Sequence, residues 1–210
     1  MTDQKRFRRP AMLDPAVASQ IPGDVDPARR HDLAHATAQL ILAGVHGEPD
    51  PVVVERAVKL VADQGLDTLA ELWAALPAET LPGTLYRLYS LQQWTGSAGQ
   101  TASLWYRLGM DAAPAANVIA GVVEPPTPEH LAELVDEILS GFFRGDLAVA
   151  LERAAAYAQV LATGAAFDAD SRDVTSEGEG VATTTTAANL SRLAGQFLHG
   201  AELWRLGALE

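Results

Sequence analysis

Residues 81–109 read LPGTLYRLYSLQQWTGSAGQTASLWYRLG and contain three of the chain's four tyrosines and two of its four tryptophans. Leucines recur in this stretch at the spacing of one helix face, at Leu85, Leu88 and Leu91. Tyr86 and Tyr89 form a second stripe, turned by about 100° from the first, so the apolar arc is wide. The stretch therefore predicts a central helix over 82–95, followed by a second helix over 100–109.

The same periodicity continues in both directions along the chain. It predicts helices at 27–45, 51–64, 67–76, 82–95, 100–109, 114–122, 128–143, 147–163 and 184–207. Asp26-Pro27 and Thr127-Pro128 are typical helix starts, because an oxygen-bearing cap precedes a proline whose missing N–H would have had no partner. No segment reads as a strand. We predict an all-α fold, a compact multi-helix bundle of about eight or nine helices.

Two segments fall outside this helical pattern. Residues 1–25 are predicted to be an extended basic amino-terminal arm, and residues 26–210 a single helical domain. Within that domain, residues at about 165–182 are acidic, small and glycine-bearing, and they show no period. This composition predicts a mobile acidic surface loop between the last two helices.

Net charge and composition limit the classes of partner that the chain is expected to bind. The whole chain carries −12 and residues 1–10 carry +3, so the remaining 200 residues carry −15. An acidic body repels phosphate backbones, which disfavours nucleic acid as a partner. No apolar stretch is long enough to span a bilayer, so no membrane association is expected. The chain has no cysteine, which suits a reducing compartment, and a cytoplasmic location is the expectation.

The aromatic cluster of residues 81–109 has two interpretations. In the first, its rings lie in the core, with tyrosine hydroxyls that reach a polar rim. In the second, they line a groove for a small ligand or a partner helix. The candidates for that groove are Tyr86, Tyr89, Trp94, Trp105 and Tyr106.

A family resemblance overlaps the cluster. Residues 54–89, VERAVKLVADQGLDTLAELWAALPAETLPGTLYRLY, are similar to the helix-turn-helix of the TetR family of transcriptional repressors. The resemblance implies a reading helix at 82–95 that enters the major groove of DNA. It also implies that Thr84, Tyr86 and Arg87 contact the DNA. The turn, at residues 77–83, decides between the alternatives, because a long irregular connection favours a general helical bundle.

Other chemistry is sparse in the sequence. His31 and His35 are one helical turn apart, a spacing that can chelate a metal, although no third ligand is apparent. They are weak metal candidates, and we predict no metal site. No glycine-rich phosphate loop and no nucleophile motif occurs, so we expect no cofactor and name no catalytic residue.

These observations favour a non-catalytic helical protein that acts through protein–protein interaction, with a protein partner or as a homo-oligomer. Two alternatives stay open. One is a TetR-like transcriptional regulator that reads DNA with residues 82–95. The other is a small-ligand-binding protein or metal-dependent enzyme that uses the aromatic segment or the histidine pair.

Overall fold

The computed structural model describes residues 26–42, 52, 59, 61, 63, 65–112, 126–140, 143, 145–173 and 179–210. Over these residues the chain forms helices and no strand, which confirms the all-α prediction. In chain order the helices are α1 (Pro27–Ile41), α2 (Leu66–Trp73), α3 (Leu81–Ser97), α4 (Gly99–Ala112), α5 (Pro128–Leu139), α6 (Leu147–Asp173) and α7 (Glu179–Arg205).

Within the described residues the number of helices is seven, so the predicted eight or nine is slightly too high. The predicted helix 114–122 and the predicted arm 1–25 lie outside the described residues. Of the predicted helix 51–64, the structure describes positions 52, 59, 61 and 63, each of them helical.

Side-chain caps begin three of the helices. The Asp26 carboxylate accepts a hydrogen bond from the Ala28 N–H at 3.1 Å, and the Thr127 hydroxyl accepts one from the His130 N–H at 3.3 Å. Both caps were predicted. Thr80 caps α3 in the same way. Each cap satisfies one of the amide groups that the first turn of a helix leaves without a partner.

Helix α6 lies at the centre of the bundle. Its apolar stripe, which has the helical spacing of the predicted helix 147–163, is fully buried: Leu147, Leu151, Ala154, Ala158 and Leu161. Both flanks of this stripe are buried as well, because α7 packs along one flank of α6 and α4 along the other, whereas Val149, Arg153 and Gln159 on the far side are exposed.

The predicted loop at about 165–182 is wrong over residues 165–173 and 179–182, where α6 and α7 continue as helices. The reason is burial of one face. Ala165 and Ala169 prolong the buried side of α6, and the Asp168 carboxylate between them accepts a hydrogen bond from Trp105 of α4 at 2.8 Å. The acidic composition therefore did not mark a break between the two helices at residues 165–173 and 179–182.

Two glycines set the distance between α4 and α6. A Cβ on Gly164 would lie far inside van der Waals contact with the Trp105 carbonyl oxygen, and 2.6 Å from the carbonyl carbon. A Cβ on Gly109 would lie 2.9 Å from the carbonyl carbon of Val160. Each helix thus presses a glycine onto the backbone of the other, four residues apart on both, and the helices cross at the closest approach that glycine allows.

After α7, the last residues of the chain pack against the start of α3. Gly207, at φ 67°, ends the helix in the left-handed conformation that favours glycine, and the Ala208 N–H bonds back to the Leu203 carbonyl at 2.8 Å. Leu209 is buried, and the main-chain oxygen of Glu210 accepts a hydrogen bond from the Leu81 N–H at 2.7 Å. The carboxyl-terminal residues therefore pack against the start of α3. In the described part of the chain, no helix combines the length and the apolarity needed to cross a membrane.

Candidate functional site

The aromatic candidates pack against the core. Trp105 is buried, with 6% of its surface exposed, and Tyr86, Tyr89, Trp94 and Tyr106 are half-buried against the central cluster. The rings of Trp94 and Trp105 stack with their centroids 5.7 Å apart. Stacked rings at this separation contribute packing energy beyond the area they bury.

The tyrosine hydroxyls of this cluster point to separate partners. The Tyr89 hydroxyl donates to the Asp67 carboxylate of α2, and this hydrogen bond, with some burial, raises the pKa of Tyr89 to about 12. Tyr106 stacks on Tyr157 of α6 with ring centroids 5.9 Å apart. Burial raises the pKa of Tyr157 to about 12, and its hydroxyl lies 3.4 Å from the Thr95 hydroxyl. Both phenols are held protonated at neutral pH, so they serve as hydrogen-bond donors.

The five ring candidates do not converge on one cavity in the described residues. Trp94 lines an apolar groove of about 180 Å³ between α3 and α7. A cavity of about 620 Å³ lies near the junction of α3 and α4, but its walls come from other residues of those helices and from α5. The walls of this second cavity combine amide, hydroxyl and carboxylate side chains with glycine, alanine, proline and leucine, and sequence reasoning did not single out these residues.

The positions matched to the TetR reading helix are not exposed as a reading surface. Thr84 is buried, with 1% of its surface exposed, and its hydroxyl donates to the Ala78 carbonyl at 3.0 Å. The Arg87 guanidinium is half-buried and donates to the Gly83 carbonyl at 2.7 Å and to Gln196 of α7 at 3.2 Å. Tyr86 packs against the core, as described above.

The connection between α2 and α3 is long. It runs from 74 to 80 without regular structure, and a Cβ on Gly83 would lie 2.8 Å from the carbonyl carbon of Pro77. The connection thus folds back over the first turn of α3, where the reading helix of a helix-turn-helix would present its side chains to base edges. This geometry favours the general helical bundle over the DNA-reading alternative.

The two histidines of the candidate metal pair lie next to each other. Their ring centroids are 4.4 Å apart, and His31 is exposed while His35 is half-buried. Within the residues that the structure describes, no group of three or more histidine, aspartate or glutamate side chains is arranged to hold a metal ion. The His35 Nε2 atom is buried without a hydrogen-bond partner.

Burial and the neighbouring His31 lower the pKa of His35 from its ordinary value of 6.5. The folded chain therefore favours neutral His35, and between the two pKa values the unfolded chain binds more protons. The contribution of His35 to stability therefore decreases as the pH is lowered from 6.5 through the lower pKa of the folded chain. We expect His35→Leu, which cannot titrate, to gain thermal stability relative to the wild type as the pH is lowered from 7 to 5. Melting curves across that range check this, and a difference independent of pH would contradict it.

Comparison of the chain with models of protein families, with curated proteins and with solved structures finds no match. The functional interpretation therefore depends on the geometry of the described residues. Two features stand out there: the outer face of α7, and the cavity between α3, α4 and α5.

Proposed function

We propose that the protein is a non-catalytic helical module that acts by associating with a second copy of itself through the outer face of α7. The observation that supports this most is that the face is complementary to itself. One side of α7 packs on α6, and the opposite side is exposed along its whole length. That exposed side is what we call the α7 face. It contains Val181, Thr184, Ala188, Arg192, Gly195, His199, Glu202 and, just past the helix end, Leu206.

Between its two ends, the α7 face consists mostly of small or weakly polar residues, and it carries few charges. From 180 to 191 it has no ionisable side chain. Val181 is 66% exposed and Leu206 is 78% exposed, so both ends of the face present large apolar groups to solvent. Gly195 lies open in its middle, with nothing near the position of a Cβ. A second backbone can therefore approach closely at this point.

Side chains of opposite charge, and a small and a large apolar side chain, lie at equal distances on either side of residue 197. Arg192 and Glu202 lie five residues on either side of it, and Ala188 and Leu206 lie nine residues on either side. If two α7 helices pack antiparallel about this level, each arginine meets the glutamate of the other copy, and each Leu206 meets an alanine. At about 100° per residue, all four side chains fall on one side of the helix, over about 27 Å of its length. A two-fold dimer requires this kind of self-complementary patch.

The test of this interface is charge reversal. We expect the wild type to show a concentration-dependent monomer–dimer equilibrium in sedimentation equilibrium. Arg192→Glu places two carboxylates together in both symmetry-related pairs, and we expect it to weaken the dimer about tenfold, the effect of about 1.4 kcal/mol. Glu202→Arg should weaken it similarly, and the double reversal should restore it. Arg107→Glu, an exposed reversal on α4, is the matched control and should leave association unchanged.

A second chain, lacking residues 1–25, separates the α7 interface from association through the basic amino-terminal segment on an acidic body. Loss of the dimer on this deletion, with no effect of the α7 reversals, would transfer the interface to that segment. A wild-type chain that stays monomeric at every concentration would overturn self-association altogether.

A further inference from the structure

A cavity of about 620 Å³ with a mixed polar and apolar lining lies where three helices meet. The last turns of α3 form one wall, the start of α4 forms the second, and the first turn of α5 closes the third. Its volume is in the range of about 300–1,000 Å³ that is common for small-ligand sites. Its apolar lining comes from Ala102, Pro128, Leu131 and Ala132. Gly96 and Gly99 contribute main chain, and the polar side chains are Gln92, Gln93, Thr95, Ser97, Ser103 and Glu129.

The hydrogen-bond donors of two central polar residues are already used within the protein. The Gln92 amide nitrogen donates to the Asp136 carboxylate at 2.6 Å and to the Ala132 carbonyl at 3.2 Å. The Ser97 hydroxyl donates to the Trp94 carbonyl at 3.1 Å. An amide and a hydroxyl whose hydrogens are engaged in this way keep their oxygen lone pairs as acceptors. Both residues thus offer acceptors to the cavity.

The charge of the lining also favours a ligand that donates hydrogen bonds and carries a positive charge. Glu129 is the ionisable residue among the residues that line this cavity. Its own backbone N–H and the Thr127 hydroxyl lower the pKa of its carboxyl group, so the group is ionised at neutral pH. Glu133 and Asp136 follow on the same helix. No lysine or arginine lines the cavity to bind an anion.

From this arrangement we infer that the cavity binds a small organic cation through a primary ammonium group. An ammonium carries three N–H donors and one positive charge, and needs several acceptors around it. The Glu129 carboxylate supplies the charge, and the Gln92 and Ser97 oxygens supply neutral acceptors. Charge-assisted hydrogen bonds of this kind are roughly twice as strong as neutral ones. The apolar wall of Ala102 and Leu131 packs against the hydrocarbon part of such a ligand.

Three probes of equal chain length test the inference: 1,5-diaminopentane, 1,5-pentanediol and glutarate. By titration calorimetry we expect the diamine to bind and the neutral diol and the dianion not to bind at concentrations up to about 10 mM, a range that detects affinities near the millimolar limit. Glu129→Gln should weaken diamine binding about tenfold, because the ligand then loses its charged partner.

Glu133→Gln is the matched control, because Glu133 is exposed on the same helix, as Glu129 is, but lies outside the cavity lining. It should change the affinity by less than about twofold, the size of a screened surface effect. Ser103→Arg, at the exposed rim, should abolish binding while the helical circular dichroism stays unchanged. Equal weakening by both glutamate variants would show general attraction to an acidic protein and would overturn the site, as would the absence of diamine binding. The α7 reversals do not touch this cavity, so the outcome is independent of self-association.

Discussion

Gly164→Ala is expected to lower the free energy of unfolding by about 3 kcal/mol, the upper end of what overpacking a filled interior costs. The added methyl group would overlap the carbonyl oxygen of Trp105 and come within 2.8 Å of its Cα atom. These are main-chain atoms of a helix, so no side-chain rotation relieves the overlap. α4 and α6 must move apart instead, and the packing on both sides of the central helix loosens.

The matched control is Gly96→Ala. Gly96 is exposed near the end of α3, with nothing close to the position of a Cβ. There the change should be neutral or should stabilise the chain by up to about 1 kcal/mol, because alanine loses less backbone entropy than glycine. Urea unfolding followed by circular dichroism measures both variants. Gly109→Ala, on the facing helix, should repeat the loss. If Gly164→Ala and Gly96→Ala proved equally stable, the close crossing of α4 and α6 would be wrong.

These glycines show which part of the fold the sequence could predict. The predicted helices 100–109, 147–163 and 184–207 end at or directly before Gly109, Gly164 and Gly207. Gly207 does end a helix, at positive φ. Gly109 and Gly164 lie inside longer helices and serve a contact between them. Local pattern does not distinguish these two uses of glycine, because the second depends on a helix some fifty residues away.

The acidic end of α6 illustrates the same limit. Asp168 was placed in a surface loop because aspartates and glycines surround it. Its partner is the indole N–H of Trp105, which no local pattern connects with it. The apolar stripe of Leu85, Leu88 and Leu91, by contrast, was predicted from the sequence, because burial of one side of a helix determines the spacing of its apolar residues.

The candidate sites divide along the same line. Sequence reasoning identified the aromatic cluster and both of its interpretations, a ligand groove or part of the core, since the cluster consists of residues close in sequence. The cavity escaped it, because Gln92, Ser97 and Glu129 come from different helices and none belongs to a motif. Only the folded chain shows that Gln92 and Ser97 line one cavity and that their donors are engaged within the protein.

Trp73 is the residue at which a single side chain joins two helices of the bundle. It lies at the end of α2, is 1% exposed, and its indole N–H donates to the Thr37 hydroxyl of α1 at 3.0 Å. That hydroxyl in turn donates to the Ala34 carbonyl at 2.9 Å. A fully buried ring and a buried hydrogen-bond chain thus hold α1 on α2.

We expect Trp73→Ala to destabilise the chain by about 3–5 kcal/mol, because it leaves a ring-sized cavity in a close-packed interior. Trp73→Phe should cost less, about 1–2 kcal/mol, because most of the apolar volume stays while the indole donor is lost. The Thr37 hydroxyl still donates to Ala34 in that variant, so no buried polar hydrogen is left without an acceptor. Thr37→Val removes the acceptor instead and strands the Trp73 N–H, which should cost about 1–3 kcal/mol.

Urea unfolding of the two single variants Trp73→Phe and Thr37→Val and of the Trp73→Phe/Thr37→Val double variant measures their coupling. The double variant should be more stable than the sum of the single losses predicts, since each single change already breaks the same hydrogen bond. Strict additivity, or an equal loss for alanine and phenylalanine at position 73, would contradict the packing of α1 on α2 through this residue.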